Sequence, residues 1–146
     1  MAVVVLREIT AATVRAICAL ETSEAQRRFV APNAVSIAQA YFESRALFRA
    51  VYADELAVGF VMWKPADDPG VAYPWRFMID RRHQRKGYAR QAIMLLIDDV
   101  RDAGYGQLTT SVVLGPGGPL DFYRSLDFIE TDATLATGER VLVRRL

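Results

Sequence analysis

The sequence predicts an α+β fold, a mixed and mostly antiparallel sheet with helices packed on it. Three observations carry this expectation. Residues 71–80 alternate, with Val71, Tyr73, Trp75, Phe77 and Ile79 on one face, which is the two-residue period of a strand. Residues 87–103 space Ala89, Ala92, Ile93, Leu96 and Val100 along one helical face and leave Asp98, Asp99, Arg101 and Asp102 for solvent. The segments together run β-α-α-β-β-β-α-β-α-β-β, which reads as one mixed sheet with helices on it, an α/β sandwich.

Taken in order, residues 3–9 read as a strand. Thr10 is placed to cap a helix over 11–20, with Val14, Ile17, Cys18 and Leu20 inward. Pro32 breaks a mixed stretch, and a second helix is expected over 34–45 with Ile37, Ala40 and Tyr41 at helical spacing. Strands at 46–53 and 56–64 flank Asp54-Glu55, a hairpin signal. The strand at 71–80 is about 33 Å long, enough to cross a domain. Pro74 inside it predicts an edge, a bulge or a local break in pairing. Gly104 ends the long helix, and residues 107–114 form the next strand. Pro119 suits the first turn of a short helix over 119–126, with Leu120, Tyr123 and Leu126 inward. Strands at 127–133 and 139–145 close the chain around Thr137-Gly138.

The length, 146 residues, suits one domain spanning 1–146. Apolar residues make up 52% and charged residues 24%, and the net charge of +1 provides no field to recruit nucleic acid or a membrane surface. Electrostatic recognition must then be local, and Arg81, Arg82, Arg85, Lys86 and Arg90 form such a local patch. Cys18 is alone, which points to a reducing compartment and a cytoplasmic protein. The apolar runs at 56–63 and 92–97 are far short of a membrane span. Val3–Leu6 is too short for a secretion signal.

The segment Gln84-Arg85-Lys86-Gly87-Tyr88-Ala89, between a strand and a helix, carries the most chemistry. A helix start has unpaired N–H groups and a partial positive charge, so a cationic Gly-containing turn there can hold phosphate. The dinucleotide pattern GxGxxG and the nucleoside-triphosphate pattern GxxxxGK are both absent. His83, next to the turn, reads as an exposed loop residue.

The turn resembles motif A of the GNAT superfamily of acyl-CoA-dependent N-acetyltransferases: Gln or Arg, two residues, Gly, one residue, then Gly or Ala. Phe122-Tyr123-Arg124-Ser125-Leu126-Asp127-Phe128 is similar to that family's helix-to-strand motif. The stretches Gln26–Glu43 and Tyr73–Asp80 resemble bacterial diamine, spermine and spermidine acetyltransferases. The resemblance implies two central strands, 71–80 and 107–114, that splay apart around acetyl-CoA. It implies a pantetheine arm along Met78, Ile79 and Asp80, and pyrophosphate on Gln84, Arg85, Lys86, Gly87, Tyr88, Ala89 and Arg90. No metal is implied, and family habit implies a homodimer. Two positions depart from the family: Asp127 stands where Gly is usual, and Pro116 where an Asn that contacts coenzyme A is frequent.

Acetylating an amine poses two proton problems. An ammonium of pKa about 10.4 costs roughly 4–5 kcal/mol to deprotonate at pH 7. Glu21, Glu24 and Asp80 are candidates to help, with Glu24 and a water relay as the working choice. The leaving thiolate needs a donor, and Tyr123 matches the family's general-acid tyrosine. Full transfer from a phenol near pKa 10 to a thiolate near 8.5 is uphill by about 2 kcal/mol, so hydrogen-bond donation suffices as its role. A cationic acceptor suits an aromatic and acidic pocket, with Phe29, Tyr41, Tyr73 and Trp75 as aromatics and Glu21, Glu24 and Glu43 as carboxylates. The expected function is transfer from acetyl-CoA to a small cationic primary amine, such as a polyamine, in a ternary complex. The alternatives are acetylation of an aminoglycoside-like or streptothricin-like antibiotic or of a protein amine, and a non-catalytic acyl-CoA-binding sensor.

Overall fold

The computed structural model describes residues 2–27 and 30–146. The chain runs through β1 (Val4–Arg7), α1 (Val14–Cys18), a 3₁₀ turn at Glu24–Gln26 and α2 (Asn33–Tyr41) before the central strands β2 (Leu47–Ala53), β3 (Leu56–Pro65) and β4 (Val71–Ile79). A second 3₁₀ turn, Arg81–His83, leads into α3 (Tyr88–Asp102). Then follow β5 (Gln107–Val112), α4 (Leu120–Ser125), β6 (Ile129–Thr134) and β7 (Arg140–Arg145). The strands form one seven-stranded sheet in the order β1-β2-β3-β4-β5-β7-β6. Its neighbours are antiparallel except β4 and β5, which are parallel.

Helices cover both faces because the strands carry apolar residues on both. On one face α3 buries Ile93, Leu96, Ile97 and Val100 against Leu108, Val112 and Leu142, joined by Tyr123, Leu126 and Phe128 from α4 and its exit. Its N-terminal half continues that layer through Ala92, against Val51, Val58, Val61 and Ile79. On the other face Ile17 and Leu20 pack on Ala50, Phe60, Met62 and Met78. Gly59 lets β3 and β4 lie close, since a Cβ there would run into the Met78 carbonyl oxygen and approach Ile79 Cδ1 to 2.8 Å.

Two helices are shorter than their sequence patterns. Helix α1 starts at Val14, because Thr10 and Thr13 spend their polar groups on one another's turn. The Thr10 N–H donates to Thr13 Oγ1 at 2.9 Å, and the Thr13 N–H to the Thr10 carbonyl at 3.0 Å. Such local bonds compete with helix initiation, so Thr10 does not act as the expected cap. Helix α2 stops at Tyr41, and its buried stripe is led by the polar residues Asn33 and Ser36. The Asn33 amide donates to the Ile17 carbonyl at 2.9 Å, which ties α2 to α1. Tyr41, expected at helical spacing with Ile37 and Ala40 and as an aromatic of the acceptor pocket, is 84% exposed and pairs edge-on with Phe42 at the helix end.

The sheet divides at its centre. Strands β4 and β5 pair only at Val71–Gln107 and Ala72–Leu108, and then diverge. Pro74 follows at once and has no N–H to offer a ladder, though its carbonyl accepts from Thr110 Oγ1 at 3.4 Å. On its other side β4 carries an irregularity, since Met62 faces Arg76 while Trp63 faces Pro74. The extra residue is Trp75, and a bulge of this kind bends and re-aims a strand. The bulge and the break expected of Pro74 thus occur together, where the sheet opens.

Candidate functional site

The divergence of β4 and β5 opens a cleft of about 950 Å³. One wall is β4 from Tyr73 to Ile79, and the other is β5 from Thr110 to Val112 with Val113 just beyond it. The turn before α3, the Gly117–Pro119 loop and α4 also line it.

The turn is held from below by Asp80, which is only 1% exposed. Its carboxylate accepts the Arg82 N–H, the Glu21 N–H and Arg82 Nε, each at 2.9 Å. Burial pushes this carboxyl up, but the Arg82 side chain, the two N–H donors and the Arg82 charge together hold it below the ordinary range. Asp80 is therefore fully engaged in fastening the turn, and it is not on the cleft wall. Gln84 Nε2 donates to the Ile79 carbonyl at 3.0 Å and to Gln26 Oε1 at 2.8 Å, which joins the strand end to the first 3₁₀ turn.

Two left-handed residues then shape the cradle, Arg85 with φ 62° and Gly87 with φ 80°. Gly87 is the N-cap of α3 and offers no capping side chain, so the N–H groups of Tyr88, Ala89 and Arg90 are not capped from within. A Cβ at Gly87 would meet only Gln91 Nε2, at 3.9 Å. The space in front of these N–H groups is thus open to a ligand rather than filled by the protein. An open, cationic helix start of this kind suits an anionic group such as phosphate. Gln84, Arg85, Gly87, Tyr88, Ala89 and Arg90 all line the cleft, as do Met78 and Ile79, while Lys86 is exposed and lies off the wall.

Tyr123 is inside the same cleft and only 8% exposed. Its ring packs edge-on against Phe128 at 5.1 Å and Phe122 at 5.4 Å, and Phe122 stacks on Phe77 of β4 at 6.0 Å. Burial, with nearby Tyr73, pushes its hydroxyl up to about 12. Asp127 supports this placement. Its φ of 67° is the left-handed conformation for which Gly is usual, and it terminates α4. The Phe128 N–H reaches the Tyr123 carbonyl at 3.1 Å, closing a Schellman-type end.

The remaining predicted residues divide. Tyr73 and Trp75 line the cleft. Trp75 already carries the chain's own cations, with Lys64 Nζ 4.2 Å and the Arg76 guanidinium 5.2 Å from its ring centroid. Glu21 and Glu24 are off the wall, and Glu21 is 3.8 Å from Arg27. Tyr41 and Glu43 are also off the wall, with Glu43 bonded to Arg45 at 3.0 Å. Phe29 lies outside the described residues. Several wall residues were not expected there, among them Arg27, His83, Arg76 and Glu139. His83, read as an exposed loop residue, is half-buried on the wall. Arg76 and Glu139 line it too, and Glu139 is the single carboxylate there among the described residues. Arg76 belongs to the Tyr73–Asp80 stretch that carries the resemblance but received no role there, and Glu139 follows a turn glycine that marks no site. No group of three or more potential metal ligands occurs among the described residues.

A sheet split between parallel neighbours, with an uncapped cationic helix start and a buried tyrosine lining the split, is the arrangement that the resemblance to the GNAT acyltransferases implied. The sequence model of the acetyltransferase (GNAT) family matches residues 13–128, and the chain belongs to that family. Membership makes it an acyl-CoA N-acyltransferase. The fold is shared with a domain from Methanocaldococcus jannaschii at a TM-score of 0.79 and 15% identity, covering 100% of both chains. It is also shared with a GNAT family acetyltransferase from Elizabethkingia anophelis with acetyl-CoA bound, at a TM-score of 0.72 and 15% identity, covering 98% of each. The ribosomal-protein-S18-alanine N-acetyltransferase of Escherichia coli aligns at a TM-score of 0.69 and 18% identity, over 99% of this chain and 93% of that one. No curated protein matches the chain. Among the described residues no helix is long and apolar enough to cross a membrane.

Proposed function

We propose that the chain transfers acetyl from acetyl-CoA directly to a small primary amine, with both substrates in the cleft between β4 and β5. The observation that carries this is the continuity of one cleft, which the uncapped turn at Gly87 and Tyr123 both line. The turn and Arg85 to Arg90 hold the pyrophosphate, and the strand edge from Phe77 to Ile79 takes the pantetheine arm. The thioester then lies near Tyr123. Thioester chemistry supplies the activated acetyl carbon, and the residues of the cleft manage the protons.

Glu139 receives the ammonium end of the acceptor and passes one proton from it to solvent. The free amine attacks the thioester carbonyl carbon, the N–C bond forms and the C–S bond breaks. The nitrogen's second proton ends on the departing sulfur, so amide, free thiol and one released proton balance the reaction. Tyr123 donates a hydrogen bond to that sulfur as charge develops. A hydroxyl at about 12 is a poor source of a full proton. Transfer to a thiolate of ordinary pKa about 8.5 would be uphill by about 5 kcal/mol, so Tyr123 keeps its hydrogen. Glu139 takes this role over Glu24 because Glu139 is on the wall and Glu24 is not.

The resemblance to diamine and spermidine acetyltransferases makes polyamines the first acceptors to assay. Thiol release from acetyl-CoA, followed over polyamines, amino acids, aminoglycosides and a peptide amine, tests the proposal. Acetylation of one class, with the acetylated product seen by mass spectrometry, is the expected result. Coenzyme A binding without thiol release on any amine would leave only an acyl-CoA sensor.

A further inference from the structure

Arg76 is the least explained charge in the molecule. It lies on β4 beside the bulge and lines the cleft. One terminal nitrogen donates to the Trp75 carbonyl at 3.0 Å, and the other to Gln39 Oε1 at 3.0 Å. Its Nε is buried and has no partner. Among the described residues it forms no ion pair with any carboxylate. A half-buried guanidinium normally has a counter-charge, because removing it from water is costly. Burial lowers its affinity for its proton, and Tyr73 and Glu139 only partly offset this.

Glu139 belongs to the other wall. Its carboxylate accepts from Ser111 Oγ on β5 at 3.3 Å and from Thr137 Oγ1 at 2.9 Å. These bonds fix it over β5, out of ion-pair range of Arg76 but near enough for the two charges to interact. The cleft thus holds a cation on β4 and an anion held against β5, each anchored by neutral partners and not paired with the other. A polyamine satisfies only the anion and adds positive charge beside Arg76, Arg27 and the Lys64 that covers Trp75.

We infer that the acceptor is an amino-acid-type amine, with a carboxylate that binds Arg76 and an ammonium that faces Glu139. The inference rests on the acetyl-transfer reading above and names its substrate class. Gln39 is a positioning residue, since it orients the guanidinium and does not line the cleft.

The test compares matched pairs that differ by one carboxylate: lysine and cadaverine, ornithine and putrescine, phenylalanine and phenethylamine. Thiol release should give at least about a tenfold higher kcat/KM for the acid of a recognised pair. Arg76→Met should lower that value by about 10- to 100-fold, the range of lost charge-assisted hydrogen bonds, and remove the difference within the pair. Arg76→Lys should retain part of it, and coenzyme A affinity should not change in either variant. If no amine is acetylated, the acetyl-transfer reading fails by itself. Calorimetric titration of the coenzyme A-saturated protein with the same pairs still decides this inference. Binding of an acid over its decarboxylated partner, lost in Arg76→Met, upholds it. Equal or tighter binding of the decarboxylated partners, or binding of neither, overturns it, and the wild-type comparison stands whether or not a variant folds.

Discussion

Tyr123→Phe separates the buried hydroxyl's contribution to stability from its contribution to chemistry. The phenol is 8% exposed, and its hydroxyl is raised to about 12 against an unfolded value near 10. A raised folded value means that the folded state retains the proton longer than the unfolded chain. The resulting stability is complete below pH 10 and is lost as pH rises through 12. The full linkage is roughly 2.7 kcal/mol, of which about 1.4 kcal/mol is lost by pH 11. Urea unfolding of the wild type and of Tyr123→Phe at pH 8 and pH 11 measures this. The other tyrosines titrate in both proteins, so the difference between the two isolates Tyr123. The variant should gain about 1.4 kcal/mol relative to the wild type between those pH values. A difference that does not change with pH would refute the burial argument. The same variant should lose about 10- to 100-fold in kcat, as expected for one transition-state hydrogen-bond donor to a charged atom. Its pH–rate profile should keep the wild-type shape up to pH 10. Disappearance of a basic limb in that profile would show that Tyr123 gives up its proton, contrary to the proposed role.

Other perturbations reach the rest of the site. Gly87→Ala forces a side chain into φ 80° and should cost about 1–2 kcal/mol of stability. It should also raise the KM for acetyl-CoA several-fold, and an unchanged KM would mean that phosphate does not sit on that turn. Asp80→Ala leaves the Glu21 and Arg82 N–H groups without their acceptor and should cost about 1–3 kcal/mol near pH 7 by urea unfolding. Because the Asp80 carboxyl is held below its ordinary value, its contribution is present above the unfolded value and is lost as pH falls through the folded one. The gap between Asp80→Ala and wild type should therefore narrow in acid. Asp127→Gly relieves a left-handed residue at the end of α4 and should raise stability by about 1 kcal/mol, or Tm by about 2–4 °C.

The elements whose signal is local were legible from the sequence. The stripe from Ala89 to Val100 defines α3, and the structure runs it from Tyr88 to Asp102. The turn at Gln84–Ala89 was legible because a backbone cradle needs a left-handed glycine and a helix start, and both are written in consecutive residues. Tyr123 was singled out by its resemblance to the family's helix-to-strand motif, and the structure buries it on the short helix α4 expected there. Helices α1 and α2 were over-extended because Thr10, Thr13, Asn33 and Ser36 use their side chains in ways that apolar periodicity does not report.

By itself the sequence determined the α+β class and the strand-turn-helix around Gln84–Ala89, since each depends on residues close in the chain, while the role of Tyr123 came from a resemblance to a family motif. Only the tertiary structure decided which charges share the cleft. Arg76 and Glu139 are 63 positions apart by their numbers and line one cleft only because β4 and β5 part after two paired residues and β7 returns beside β5. The pairing of walls is a property of the sheet's topology, and no local pattern records it. The same topology excludes Glu24 and Tyr41 from the cleft wall, although their residue types suit the chemistry. Residue type was chosen locally, and access to the reacting atoms was set by long-range packing.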